Sequence, residues 1–277
     1  MPVFESQAIQ RQLRADSDMT KALTIQALDN FPMIVPGDDL AHIVVDVLKS
    51  NGLTLENGDI VVLAQKIVSK SEGRLVDLNT VVPSQRARDV AEATDKDPRL
   101  AEVILSESRA VIRQVPGVLV TEHRNGWVMA NAGIDASNVA SEDGEDNVLL
   151  LPTDPDRSCG ELREQFRIRA DADVGVIIND SFGRPWRLGT TGVAIGAAGV
   201  PSLWDQRGEK DMFGRELQVS QQAIADELAA TASLVQGQGA EGRPVVLIRG
   251  LEFSASDNAP ARPAADLIRD ISEDLFR

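Results

Sequence analysis

The chain has 277 residues, 43% of them hydrophobic, and a formal net charge of −15. This length allows one large domain or two smaller ones with a sizeable core. The acidic balance without a basic stripe excludes nucleic acid as an expected partner, and the polar segment 1–14 contains no apolar run that would enter a membrane. A single cysteine, Cys159, excludes a disulfide framework and a cysteine-based zinc site, so we expect a cytoplasmic protein.

Hydrophobic periodicity and turn residues predict a mixture of helices and strands. Apolar residues spaced three and four apart after Asp39 predict a helix that begins at Leu40, and the apolar run Ile60–Ala64 predicts a buried strand. The next predicted elements are helices over residues 84–94 and 98–108, a hairpin around Asn125-Gly126, a helix over 154–169, a strand over 174–178, a glycine-rich segment over 189–199, a helix over 218–235, a strand over 245–248, a loop over 254–264 and a short helix over 266–276. This order favours an α+β fold over a doubly wound sheet.

Two acidic turns carry the strongest functional signal. Residues 131–138 (NAGIDASN) contain Asp135 and residues 177–184 (IINDSFGR) contain Asp180, each after an apolar run and before small hydroxyl or amide side chains. Two carboxylates and a hydroxyl suit Mg²⁺ or Mn²⁺, and magnesium commonly enters a site together with substrate phosphates. Asp residues that only cap turns explain the same pattern equally well at this point.

Basic residues beside these turns also have two interpretations. Lys66 and Lys70 follow a buried apolar run, and Arg184 and Arg187 follow Asp180. All four side chains suit phosphate binding, and arginine offers a two-pronged fork for it. Solvated lysines and structural salt bridges are the ordinary alternatives.

Two other patterns do not indicate a site. Residues 237–242 (GQGAEG) match the glycine pattern of dinucleotide-binding folds, but they follow a predicted helix and precede a predicted strand, which is the wrong context. His42 and His123 have no neighbouring residue typical of a metal site or a catalytic pair, so we interpret them as surface or packed histidines.

An ordered series of motifs extends over most of the chain. The motifs are PGDDL at 36–40, QKIVSKSEG at 65–73, NAGIDASN at 131–138, LLP at 150–152, NDSFGRPWR at 179–187, DMFGREL at 211–217 and EDLFR at 273–277. Together they resemble the coenzyme F-420:L-glutamate ligase family, the gamma-glutamyl ligases of deazaflavin coenzyme synthesis. The resemblance implies an N-terminal extension over residues 1–30 and a ligase domain over 31–277, with mixed and antiparallel sheets, packed helices and an intertwined homodimer.

The same resemblance implies a GTP-dependent reaction. The enzyme would join the amine of L-glutamate to the lactyl carboxylate of the deazaflavin coenzyme precursor through an acyl phosphate. GTP would be the co-substrate and two Mg²⁺ or Mn²⁺ ions would occupy each site, with K⁺ as a further candidate ion. The chemistry expected of such a site is charge neutralisation on the transferring phosphoryl group. The sequence assigns no general base.

The resemblance also assigns roles to individual residues. Asp135 and Asp180 would bind the first cation, and Ser181 and Gln238 the second. Many relatives have Glu at the position of Gln238, and a neutral amide oxygen is a weaker ligand for a hard cation. The residues expected to contact the nucleotide are Phe31, Pro32, Met33, Ile34, Gln65, Lys66, Lys70, Asn138, Gln236, Gly237, Gln238, Gly239, Ala240, Glu241, Gly242 and Arg243. In the glycine-rich loop, backbone amides can approach phosphates closely. The same glycines are also explained by the end of a helix followed by a turn, with no role in binding.

Two alternatives remain open on sequence grounds. A metal-dependent phosphohydrolase would use the same carboxylates but would need no site for an amine. A non-catalytic nucleotide-binding subunit would bind GTP without turnover. The intact pair Asp135 and Asp180 argues against the loss of catalysis.

Overall fold

The structure, a computed structural model, describes residues 22–136, 146–251 and 260–274. These residues include a five-stranded sheet and the elements packed against it. Its strands are β1 (Thr24–Ala27), β2 (Ile60–Ala64), β8 (Gly175–Arg184), β9 (Arg187–Ala198) and β12 (Val245–Arg249). Their order is β1-β12-β2-β8-β9, in which β2 and β8 are parallel and the other neighbours are antiparallel. This mixed sheet confirms the predicted α+β class.

Helices cover both faces of this sheet. The described α-helices are α1 (Leu40–Ser50), α2 (Gln65–Ser71), α3 (Gln85–Thr94), α4 (Pro98–Ser106), α5 (Pro155–Ala170) and α6 (Ile224–Gln236). Side chains alternate across β2, so Val61 and Leu63 join the core with α1 and α5, while Ile60 and Val62 join the core with α6. Each helix in the described part of the chain is too short or not apolar enough to span a bilayer.

A smaller β-rich region packs beside this sheet. Its strands are β3 (Leu75–Asp77), β4 (Ser108–Val115), β5 (Val118–His123), β6 (Val128–Ala130) and β7 (Asn147–Leu149). β4, β5 and β6 form an antiparallel meander, β3 pairs with β7, and α3 and α4 cover a separate hydrophobic core that includes Ile104 and Leu119. A short ribbon, β10 (Trp204–Asp205) with β11 (Gln221–Gln222), precedes α6.

The structure confirms most of the predicted elements and corrects two helices. α6 begins at Ile224 rather than near 218, because Gln221 and Gln222 pair with the strand Trp204–Asp205. The C-terminal helix predicted over 266–276 is replaced in the described residues by two 3₁₀ turns, Ala264–Leu267 and Ile271–Glu273. The Asp270 carboxylate accepts a hydrogen bond from the amide of Ser272 at 2.8 Å and so caps the start of the second turn. Residues 254–259 of the predicted loop lie outside the described ranges.

Residues 189–198 of the glycine-rich segment lie in β9, and Gly199 follows the strand. A Cβ atom on Gly192 would lie 2.4 Å from the carbonyl oxygen of Ala229 in α6, and one on Gly196 would lie 2.5 Å from that of Pro155 in α5. Both glycines therefore allow a helix to approach the strand closely, one on each face of the sheet.

A buried carboxylate, Glu107, connects the end of α4 to its surroundings. It is 5% exposed, pairs with Arg74 at 3.0 Å and also pairs with Arg124. His123, interpreted above as a packed histidine, is buried with its Nε2 atom 3.7 Å from the same carboxylate. Burial opposes ionisation, but His123, Arg124 and Arg74 outweigh it and lower the pKa of Glu107 below its usual value.

Candidate active site

A pocket of about 1000 Å³ opens where the parallel strands β2 and β8 end. α2 follows β2 without an intervening loop, and β8 continues past its pairing with β2 into Asp180 and Ser181. The segment 31–34 and the loop 236–244 form other walls of the pocket. Ligands commonly bind at the carboxyl ends of parallel strands, so the sheet places this pocket at a favourable position.

The alternation of side chains along β8 separates the polar groups into two sets. The Asn179 amide donates a hydrogen bond to the carbonyl oxygen of Ala229 in α6, and the Ser181 hydroxyl lies 2.8 Å from Oε1 of Gln238, just beyond α6. Asp180, between them, projects from the other face, towards Asp135. The pairing of β8 with β9 shifts register between Ile178 and Asn179, a bulge of the kind that redirects side chains near sites.

Backbone conformation and pairing hold Asp135 in place. Asn131 and Ala132 both have left-handed backbones, with φ angles of 54° and 53°. Such conformations are costly for residues other than glycine and commonly mark functional sites. Asp135 then forms a two-way backbone bridge to Leu149, with N–H···O distances of 3.0 and 2.8 Å. Residues 131–136 of this acidic turn are therefore held by the fold rather than forming a solvated loop.

The side chain of Asp135 has hydrogen-bonding and charged partners. Nε2 of Gln65 donates to Oδ2 of Asp135 at 2.7 Å, and the hydroxyl of Ser69 donates to Oε1 of Gln65 at 2.9 Å. Gln65 and Ser69 are almost fully buried, so this chain of hydrogen bonds fixes the orientation of the carboxylate. The ammonium group of Lys66 lies 3.5 Å from the same oxygen.

Asp180 is far less well compensated. Burial, and then the neighbouring Asp135 carboxylate, raise the pKa of Asp180 to about 7. Burial also raises the pKa of Asp135, against the opposing influence of Lys66 and Gln65. Two carboxyl groups that converge in a partly buried pocket with this little positive charge form a site suited to a bound cation.

The donor atoms fit a hard divalent cation. The pocket offers the carboxylates of Asp135 and Asp180, and the adjacent hydroxyl of Ser181 and amide oxygen of Gln238. No cluster of three or more His, Cys, Asp or Glu side chains with metal-site geometry occurs in the described ranges. A cation here would therefore complete its coordination with neutral oxygens and substrate phosphates, as Mg²⁺ commonly does.

Positive charge enters the pocket from α2. Lys66 and Lys70 lie one helical turn apart and both line the pocket. Burial, and then the charge of Lys66, lower the pKa of Lys70. An anionic ligand such as a phosphate would relieve this crowding of positive charge, so the lysines suit the phosphate role better than the role of solvated surface residues.

The glycine-rich loop forms the wall opposite α2. Glu241 turns back over the loop and accepts a hydrogen bond from the amide of Gly239 at 2.8 Å. Arg243 forms an ion pair with Asp29 at 2.7 Å. The side chain of Gln236 bonds to Asn179 inside the protein. The loop is therefore supported by side chains of its own and by the strand that carries Asp180.

The structure brings together nearly all the predicted site residues. Every predicted metal and nucleotide residue except Asn138 lines the pocket, and Asn138 lies outside the described residues. Arg184 and Arg187 are instead on the exposed tip of the β8–β9 hairpin, where Nη1 of Arg184 donates to the carbonyl oxygen of Gly189 at 3.2 Å. Their phosphate role has no support from the pocket of a single chain.

Asn179 is a structural residue of the site that sequence reasoning missed. The only signal was a polar side chain at the end of the apolar run of β8, directly before Asp180. Its partner Gln236 is 57 positions away along the chain, so no local pattern indicates that the two meet.

Comparison with known proteins identifies the family of this chain. The F420-0:gamma-glutamyl ligase family matches residues 29–250. The coenzyme F420:L-glutamate ligase of Methanopyrus kandleri is 47% identical over 242 residues, which cover 87% of this chain and 92% of the relative. The proteins of the same description from Methanothermobacter thermautotrophicus and Halobacterium salinarum are 43% and 41% identical, over 92% and 91% of this chain and 99% and 94% of the relatives. The chain belongs to the F420-0:gamma-glutamyl ligase family.

Proposed function

We propose that this chain is a GTP- and divalent-metal-dependent ligase that adds L-glutamate to the lactyl carboxylate of the deazaflavin coenzyme F420 precursor. The observation that carries the proposal is the convergence of Asp135 and Asp180 beside Lys66 and Lys70 in one pocket. The descriptions of the relatives support glutamate as the substrate added and coenzyme F420 as the class of acceptor.

The reaction consists of two transfers. The acceptor carboxylate takes the γ-phosphoryl group of GTP, which forms an acyl phosphate and GDP. The amine of glutamate then attacks the acyl carbon, the amide bond forms, and phosphate leaves as the amine gives up a proton. A bound divalent cation supplies neutralisation of the phosphoryl charge during these steps.

The residues of the chain have distinct tasks in this scheme. Asp135 and Asp180 would hold one cation, and Gln65 keeps the Asp135 carboxylate oriented. Lys66 and Lys70 would provide positive charge towards the phosphates. Ser181 and Gln238, 2.8 Å apart, would hold the second cation. A site prepared in this way lowers the barrier mainly by electrostatic stabilisation.

A homodimer is part of the proposal. Four large apolar side chains are strongly exposed on two protruding segments: Trp186 at 84%, Leu188 at 99%, Met212 at 97% and Phe213 at 87%. Exposed groups of this kind commonly mark a protein–protein interface. Light scattering at micromolar concentration should give twice the mass of the chain, whereas a monomer mass would exclude the dimer.

The dependence of GTP turnover on the other substrates distinguishes this function from its alternatives. A ligase should release GDP rapidly only when both glutamate and the deazaflavin precursor are present with Mn²⁺. GDP release that ignores both would favour a phosphohydrolase. Tight GTP binding with no release under any mixture would favour a non-catalytic nucleotide-binding subunit.

A further inference from the structure

A reciprocal pair of buried side-chain amides joins the two halves of the pocket. Nδ2 of Asn179 donates to Oε1 of Gln236 at 2.8 Å, and Nε2 of Gln236 donates back to Oδ1 of Asn179 at 3.2 Å. The two residues are 3% and 9% exposed. We call this contact the amide pair.

Every hydrogen-bond donor of the amide pair has an acceptor. The second hydrogen of the Asn179 amide goes to the carbonyl oxygen of Ala229 at 3.2 Å, and that of Gln236 goes to the carbonyl oxygen of Pro244 at 3.3 Å. All four amide hydrogens therefore have acceptors, and both side-chain oxygens have donors. A fully satisfied buried network of this type specifies one arrangement of the groups around it.

The amide pair lies beside the residues that would hold cations. Asn179 directly precedes Asp180 and Ser181 on β8, and Gln236 ends α6 two positions before Gln238. Because Gln236 also binds the carbonyl oxygen of Pro244, the pair fixes both ends of the loop 237–243. The side chains in the pocket that depend on this spacing are Ser181 and Gln238, which are 2.8 Å apart.

We infer that the amide pair of Asn179 and Gln236 is a positioning device that holds the loop 237–243 at a fixed distance from Asp180 and Ser181 for binding of a metal–nucleotide complex. This inference rests on the proposed function for its ligand but not for its geometry. Gln236 then acts through the loop that it supports, and its side chain does not itself contact the nucleotide. Asn179 acts through the strand segment that carries Asp180.

Replacing both residues of the amide pair with apolar residues distinguishes a positioning role from a contribution to folding stability. The double variant Asn179→Leu/Gln236→Met fills similar volume and leaves neither amide without its partner, so we expect it to fold with little loss of stability. It removes the directional hydrogen bonds, so the loop should open more often. Thr94→Val is the matched control, since it removes a buried 2.7 Å hydrogen bond to the carbonyl oxygen of Val90, remote from the pocket.

Two measurements on the full chain test the inference. Hydrogen–deuterium exchange of the nucleotide-free protein should show about tenfold faster exchange of amides 237–243 in the double variant, and no change there in Thr94→Val. Calorimetry with GDP and Mn²⁺ should show about tenfold weaker binding by the double variant, the change expected when one well-placed hydrogen bond is lost. Exchange and affinity equal to those of the wild type would overturn the inference.

Two further outcomes remain decisive. If the double variant does not fold, Gln236→Asn takes its place, because the shorter side chain cannot reach Asn179, and the same two measurements apply. If the wild type binds no GDP with Mn²⁺, the proposed function fails. The exchange of amides 237–243 then still decides whether the amide pair positions the loop.

Discussion

Glu107 and Asp180 are both carboxylates at sheltered positions, and their surroundings differ in kind. Glu107 pairs with Arg74 and Arg124, and its pKa is lowered. Asp180 forms no ion pair with any residue in the described ranges, and its pKa is raised to about 7. A compensated buried charge is part of the architecture, whereas an uncompensated one is typical of functional sites and fits the cation proposed above.

The largest effect should come from the uncompensated site. Asp180→Asn and Asp135→Asn should each lower the ligase rate by about a hundredfold or more at saturating Mn²⁺, since each removes a charged group from the proposed site of phosphoryl transfer. The rate of glutamate-dependent GDP release measures this loss. Asp46→Asn, the same change at an exposed position, is the control. Full activity of both site variants would show that the acidic turns are only structural.

The thermal stability of Asp180→Asn without metal also tests the difference between Asp180 and Glu107. With EDTA present, Asp180→Asn should unfold at the same temperature as the wild type or at a higher one. A carboxyl with a raised pKa destabilises the fold above its ordinary pKa, and Asn has no charge to bury. A markedly lower unfolding midpoint would mean that Asp180 serves the fold in the manner of Glu107.

Glu107→Gln should lose stability but keep activity, the opposite of Asp180→Asn. Its loss leaves Arg74 and Arg124 without a carboxylate, so the free energy of unfolding should fall by about 1–3 kcal/mol, less than for fully buried pairs because Arg124 is partly exposed. Activity per folded molecule should be retained. Chemical denaturation measures the loss, with Glu164→Gln, from an exposed pair with Arg167, as a control expected to change stability very little. Equal losses in both variants would remove the distinction.

A lysine contact to phosphate should produce a smaller effect. Lys70→Ala should weaken binding of GDP with Mn²⁺ about tenfold, because a hydrogen bond to a charged group is lost. Lys49→Ala makes the same change in net charge at an exposed side chain of α1 and should leave the affinity unchanged. Calorimetry that gives the same reduction in both variants would attribute the effect to the overall field of the acidic protein.

The smallest expected effect is on the pH dependence of stability. Because the folded pKa of Glu107 is depressed, its carboxylate stabilises the fold above the usual carboxyl range, and this contribution disappears as the pH falls through the folded pKa. Denaturation between about pH 5.5 and 3.5 should therefore show a steeper fall in unfolding free energy for the wild type than for Glu107→Gln. Parallel slopes would contradict the assignment.

The sequence predicts those features that depend on local patterns. α1 and β2 follow from periodicity, and the two acidic turns indicate a cation site from residue chemistry. β9 was not predicted as a strand, because Gly192 and Gly196 serve helices that approach the sheet from elsewhere in the chain. α6 was predicted too early, since pairing with a distant strand decides where it begins.

The same limit applies to the site. The meeting of Asp135 with Asp180 was expected from the motifs and their family resemblance. The chain of Ser69, Gln65 and Asp135 was not expected, because it depends on three-dimensional contacts between segments that are far apart in sequence. The family resemblance predicts that Gln65 contacts the nucleotide, and the structure adds a hydrogen bond from its amide group to the carboxylate of Asp135.

The most direct test of the proposed ligase function is the mass of the deazaflavin product after incubation with GTP, Mn²⁺ and L-glutamate. The wild type should increase the mass of the precursor by one or more glutamyl residues, with one GDP formed for each glutamate added. Asp180→Asn should leave the precursor unchanged over the same time. Consumption of GTP by the wild type with no change in the mass of the precursor would contradict the proposal of a glutamate ligase.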